Sequence, residues 1–286
     1  MGTLHRLLRV SIATMLIFLA FKADARTVGG CGFDPATEKF SGSIAEQLTC
    51  LLRKVRPRGS GSDRQEIPVW LVQHAGSSIS ITPGQVRDYL RAENIRPEDL
   101  GGQIVAGDVP NLQYFVIHDT SWPELTGVTA FPSNINESTF SGNNLNMWSS
   151  LATRVHLIIS RDGRSRTLQD WSANRARPAT KIEQNGFAPL ARRVFAHVEN
   201  VQPRIKPAGS WGWVAPQPGF GPAQEQRLAV SYIVASLRAG RWLIPAYHFN
   251  IDQGIPDGHD DPQNADLAGW VARIEAIVER MSQNPK

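Results

Sequence analysis

The chain has 286 residues, 41% of them hydrophobic and 20% charged, and a net charge of +4. That balance excludes a disordered or low-complexity polymer and is enough for one large domain with an appendage. The positive charge favours anionic partners, yet the basic residues are scattered rather than striped along one helix, so no nucleic-acid partner is expected.

Residues 1–25 read as a targeting segment. Arg6 and Arg9 give a basic start, Val10 to Phe21 is nearly all apolar, and Ala23-Asp24-Ala25 supplies a small-x-small cleavage site. The apolar run is shorter than the ~20 residues needed to cross a bilayer, so a signal peptide is expected and no stable membrane anchor. Cys31 follows Val28-Gly29-Gly30, without the leucine expected upstream of a lipid-modified cysteine. Cys31 and Cys50 make up the whole cysteine complement, and in an exported chain such a pair is most simply a disulfide. The expected location is periplasmic or secreted.

Ser43 to Val55 has a helical pattern, with Ile44, Leu48, Leu51, Leu52 and Val55 on one face. Pro57 to Ser62 is a Gly/Ser linker. Ile67 to Val72 has the composition of a strand, and Thr82 followed by Pro83 starts a short helix that runs to Ala92. These elements fall within an N-terminal region, residues 26–110. From Tyr114 onward strands alternate with helices. Tyr114–His118 is a buried strand. Val155–Ser160 and Arg164–Leu168 form a hairpin about Asp162-Gly163, a pair suited to the positive φ angles of a tight turn. Val194–Val201 is a further strand, and Gln224–Ala239 and Leu267–Met281 are amphipathic helices, the first closed by Gly240. The expected fold is α/β, a central mixed β-sheet flanked by helices, with a site at one edge of the sheet and an N-terminal extension.

Two stretches carry the chemistry. The apolar strand Tyr114–Ile117 ends by presenting His118, followed by Asp119-Thr120-Ser121. Far downstream, Tyr247-His248-Phe249-Asn250-Ile251-Asp252 runs on to His259-Asp260-Asp261-Pro262, which reads as one loop holding two imidazoles and several carboxylates. Two neutral histidines and one carboxylate, with a coordination position left open, suit a catalytic zinc. The His-Glu-x-x-His helix of zinc peptidases is absent.

Taken in order, Ile117-His118-Asp119-Thr120-Ser121, His156-Leu157-Ile158 with Arg161-Asp162-Gly163, Phe195-Ala196-His197-Val198-Glu199, and His248 followed by Asp261-Pro262 resemble the zinc N-acetylmuramoyl-L-alanine amidases of the type-2 class. That superfamily also contains the peptidoglycan recognition proteins. The likeness covers residues 110–275, and residues 111–286 are accordingly the expected amidase domain. It implies Zn2+ held by His118, His248 and Asp261. It implies Glu199 as the catalytic glutamate, and it places His259 where some relatives carry a lysine that steadies the transition state. The implied substrate is peptidoglycan or its muropeptide fragments, whose carboxylates suit a basic protein, cut between N-acetylmuramic acid and L-alanine. A non-catalytic peptidoglycan-binding module on the same fold is the alternative; an unrelated metallohydrolase or an exported structural protein is a more distant one.

The chain departs from the family pattern in three places. The loop between His248 and Asp261 is long, Gln263 replaces the glycine after Asp-Pro, and Asp170-Trp171-Ser172-Ala173 lacks the family's histidine. The third ligand is therefore open among Asp252, His259, Asp260 and Asp261. Each residue also has a plainer use. Glu199 can pair with Arg193 or Lys206, His156 and His197 suit a core or a supporting role, and His74 suits a structural one. Trp122, Trp148 and Trp171 can line a glycan groove or simply pack the core.

Overall fold

The computed structural model describes residues 27–57 and 61–283, so the signal peptide expected at residues 1–25 and the middle of the expected linker lie outside the described residues. In chain order the strands are β1 (Phe33–Asp34), β2 (Lys39–Phe40), β3 (Lys54–Val55), β4 (Ser62–Asp63), β5 (Tyr114–Asp119), β6 (Glu124–Leu125), β7 (Leu157–Ile159), β8 (Ser165–Thr167), β9 (Phe195–Asn200), β10 (Arg204–Ile205) and β11 (Ile244–Tyr247). The α-helices are α1 (Ile44–Leu51), α2 (Val69–His74), α3 (Pro83–Ala92), α4 (Lys181–Gln184), α5 (Pro222–Ala239), α6 (His248–Asp252) and α7 (Leu267–Ser282).

The apolar, β-branched and aromatic strands assemble into one five-stranded sheet in the order β11-β5-β9-β7-β8. All neighbours are parallel except β8, which returns antiparallel to β7. Asp162-Gly163 makes that return. Gly163 has φ +83°, and a Cβ there would stand 2.8 Å from the Ala223 Cβ, so a side chain is excluded on both counts.

Period-two alternation decides what each face carries. Tyr114, Val116 and His118 share one face of β5, and the register sets Phe195, His197 and Glu199 of β9 beside them. The N-terminal region covers this face: Phe40 packs 5.0 Å from Tyr114 and Phe33 5.9 Å from Phe195. On the other face Phe115 meets Tyr232 of α5 at 5.3 Å and Trp270 of α7 at 6.5 Å. Residues of the N-terminal region and of the sheet thus share one apolar cluster. Tyr114 ties the layers with polar contacts as well, accepting from Phe40 N at 2.9 Å and donating to Gln47 Oε1 at 3.2 Å; burial pushes its hydroxyl up to about 12.

Cys31 and Cys50 are disulfide-bonded, the chemistry of an oxidising compartment. No helix among the described residues is long and apolar enough to cross a membrane. Ser43 with Glu46 and Thr82 with Gln85 form capping boxes that start α1 and α3. Gly240 closes α5 in the left-handed region at φ +74°.

Three expectations are corrected. Residues Val69–His74 form helix α2, where a strand was expected over Ile67–Val72. Pro68 opens the turn, and Trp70 stacks on His74 one turn later at 4.3 Å, a contact the helix supplies and an extended chain cannot. Helix α1 stops at Leu51, and Lys54–Val55 leave it to pair with Ser62–Asp63. His248–Asp252 form the short helix α6 rather than a loop.

Candidate metal centre

The site lies where β11 and β5 end at their carboxyl termini, on one side of the sheet. His118 is the fifth residue of β5. His248 is the first residue after β11, and Tyr247 pairs with Ile117 in the next strand, so parallel register alone brings the two histidines together. Asp261 arrives from the segment after α6 and is fixed by accepting from Asp119 N at 3.0 Å, while its own carbonyl accepts from Phe249 N at 2.8 Å.

His118 Nδ1 lies 2.9 Å from His248 Nδ1 and 3.8 Å from Asp261 Oδ2, and His248 Nδ1 lies 3.2 Å from the same oxygen. All three side chains are buried. Ligand atoms about a tetrahedral ion with bonds of about 2.0–2.2 Å stand roughly 3.3–3.6 Å apart. The three edges straddle that length, and this group could hold a metal ion.

The hydrogen-bond network makes a stronger case. His197 Nε2 faces Glu183 Oε1 at 3.3 Å, so it carries the proton and leaves Nδ1 as an acceptor. His118 Nε2, 2.8 Å from that Nδ1, must then donate, and His118 Nδ1 is a bare lone pair. His248 Nε2 sits 2.9 Å from Asp252 Oδ2, off the line of an ideal hydrogen bond, which assigns its proton to that side. Two imidazole lone pairs and a carboxylate therefore converge on one point, and only a cation satisfies all three.

The pKa directions agree. Burial holds His118 and His156 well below the ordinary histidine value, and burial with the nearby Arg175 cation lowers His197 to about 4, so all three rings are neutral at pH 7. Burial works against a charge on His248 too, but Asp261 and Asp252 outweigh it and hold that ring well above the usual value.

Glu199 stands beside His118 in register, and its Oε2 is buried without a hydrogen-bond partner among the described residues. Burial, then the neighbouring Asp261 and Asp119 carboxylates, raise it well above the usual carboxylate range. Neither Arg193 nor Lys206 pairs with it; Arg193 donates instead to the Ser172 carbonyl. Glu199, the three-residue metal group, His259 and Arg154 line one cavity of about 150 Å³. The His259 ring is 4.7 Å from the His248 ring, and its side chain is 59% exposed, with Nδ1 3.8 Å from Asp261 Oδ1.

The structure separates the four residues left open for the third position. Asp261 joins the two histidines. Asp252 lies behind His248 and also accepts from Lys181 N at 2.8 Å, while Asp260 accepts from Gln263 Nε2 at 2.8 Å. His259 stays at the cavity rim. Of the tryptophans weighed for a groove, Trp171 is fully buried and donates to the Leu100 carbonyl at 2.8 Å, and Trp148 is buried too; Trp122 alone is exposed, at 42%. His156 accepts from His197 N at 3.0 Å, so it orders the β7–β9 junction.

Several supporting residues escaped the sequence reading. Arg175 and Glu183 form a buried ion pair behind His197. Arg204 Nη2 binds both oxygens of the Asp119 carboxylate at 2.8 Å, fixing the backbone that holds Asp261. Asp252, weighed above as a ligand, instead backs His248 from four residues along the chain, and the Arg175–Glu183–His197 chain left no local trace. No family model, no curated protein and no solved structure matches the chain.

Proposed function

We propose that the chain is an exported zinc hydrolase, periplasmic or secreted, that cleaves the amide bond joining the lactyl group of N-acetylmuramic acid to L-alanine in peptidoglycan. The observation that carries this reading is the convergence of His118 Nδ1, His248 Nδ1 and an Asp261 oxygen in one cavity with the unpartnered carboxyl of Glu199. Two imidazoles and one carboxylate are the donor set of a catalytic zinc with an open position. When bound, such an ion polarises an amide carbonyl and acidifies water.

The chain's own residues supply the rest. Glu199 takes a proton from the attacking water and returns one to the departing alanine nitrogen, the general acid–base role for which a raised carboxyl pKa is suited. His259 reaches the same cavity from the rim and offers an N–H to the oxyanion that forms at the carbonyl. Arg154 has no carboxylate partner among the described residues and offers its charge to a stem-peptide carboxylate. Water's hydroxyl ends on the lactyl carbonyl carbon and its proton on the alanine amine. A module that only bound peptidoglycan would have no use for a carboxyl oxygen buried without a partner beside the metal group, which favours hydrolysis.

A muramoyl dipeptide incubated with the zinc-loaded mature chain should release one primary amine per bond cut. Absence of amine release from this substrate and from longer muropeptides would reject the reading.

A further inference from the structure

A second cavity, of about 490 Å³, shares no lining residue with the metal cavity and opens at the β8 edge of the sheet. Four arginines line it: Arg96, Arg164, Arg166 and Arg227. Two are already neutralised, Arg96 by Asp99 at 2.9 Å and Arg164 by Asp162. Arg166 and Arg227 have no carboxylate partner among the described residues. Neutral groups hold them in place: Arg166 Nη1 donates to Asn146 Oδ1 at 3.2 Å, and Arg227 Nη1 to Ser165 Oγ at 3.3 Å. Ser165 is buried, and its hydroxyl donates to the Asp99 carbonyl, so Arg227 is braced from β8 rather than waving in solvent.

We propose that this cleft binds a phosphate group, for which Arg166 and Arg227 supply the charge. Two guanidiniums without counter-ions leave two positive charges in one cavity. A carboxylate neutralises only one of them, whereas a phosphate monoester carries about −1.5 to −2 near neutrality. The planar guanidinium fork matches phosphate oxygens pairwise. The volume falls in the range of small-molecule sites, about 300–1,000 Å³, and is far larger than a bare phosphate. The amides of Asn94 and Asn144 line the remaining space and suit the hydroxyls of a sugar-like body. Free phosphate and a phosphorylated sugar share this chemistry, and their relative affinities distinguish them.

Calorimetric titration of the mature chain in about 0.15 M salt, with inorganic phosphate, glucose 6-phosphate and glucose, tests the site. Because phosphate can also ligate a metal, each titration is repeated on chelator-treated protein. Binding of both phosphates, unchanged by the chelator and absent for glucose, is expected. Tighter binding of glucose 6-phosphate assigns the extra volume to a sugar body, and equal affinity assigns the site to free phosphate. Arg166→Gln and Arg227→Gln should each weaken binding at least about tenfold, with zinc content and amide hydrolysis unchanged. A thermal melt accompanies both variants; if Arg227→Gln unfolds, Arg166→Gln on the edge strand decides. Absence of phosphate binding, loss of it on chelation, or full affinity in the folded variants would overturn the proposal.

Discussion

His118 Nδ1 and His248 Nδ1 stand 2.9 Å apart, although 130 residues separate them in the chain. Each presents a lone pair because the far nitrogen of its ring is committed elsewhere, to His197 in one case and to Asp252 in the other. The geometry sets a definite expectation for the metal. His118→Ala and Asp261→Ala should lose most bound zinc, whereas His259→Ala should retain it, as measured by metal stoichiometry of the three purified proteins. Zinc lost from His259→Ala and kept in Asp261→Ala would move the third position to His259.

His259→Ala should instead lower kcat at least about tenfold. That is below the ~10²–10³ of a buried oxyanion donor, because its side chain is 59% exposed and water screens it. An unchanged kcat with full zinc would remove His259 from the chemistry.

Glu199→Gln keeps the shape and the neutral hydrogen-bonding capacity of the side chain but cannot shuttle a proton. Turnover should fall by about 10²-fold or more with zinc content unchanged. Hydrolysis at the wild-type rate would show that another group carries the proton.

The Arg175–Glu183 pair behind His197 predicts a pH-dependent stability. Burial raises the Glu183 carboxyl, but the His197 contact and the Arg175 guanidinium outweigh it and hold the group well below the usual carboxylate range. A depressed folded pKa contributes stability that is present above the unfolded value, about 4.3, and is lost as the pH falls through the folded value. Glu183→Gln leaves Arg175 buried without its counter-ion and should cost roughly 3–5 kcal/mol at pH 7. The difference from wild type in denaturant midpoints should narrow below about pH 4; a difference independent of pH would contradict the assignment.

The Cys31–Cys50 bond closes a segment with a sequence separation of 19. Replacing both cysteines by serine should cost roughly 3 kcal/mol through the freed chain entropy. Since the loop packs Phe33 and Phe40 onto Tyr114 and Phe195, the loss should appear in global unfolding rather than as local fraying.

Much of this arrangement is legible in local sequence. The apolar run before His118, the Asp162-Gly163 turn, the Thr82-Pro83 start and the Gly240 stop each act through a few neighbouring residues, and each folds as its chemistry dictates. Val69–His74 does not: Val, Trp, Leu and Val suit strand or helix alike, and Pro68 with the Trp70–His74 stack decides. The sequence placed His118, Glu199 and His197 on strands, but only the β5–β9 register sets them side by side on one face. Arg175, Glu183 and Arg204 support the site through contacts across distant segments, which no spacing reveals. Trp171 takes the second of the two uses its sequence allowed: it packs in the core, with its N–H satisfied by the Leu100 carbonyl.

The proposed reaction is amide hydrolysis at the His118–His248–Asp261 centre. It is tested most directly by digesting purified peptidoglycan with the mature chain, with and without a chelator, and identifying the new termini by mass spectrometry. The account predicts stem peptides with free amino-terminal L-alanine and glycan strands with free lactyl carboxylates, formed only without chelator. New sugar reducing ends, cuts within the peptide, or digestion that persists in chelator would contradict it.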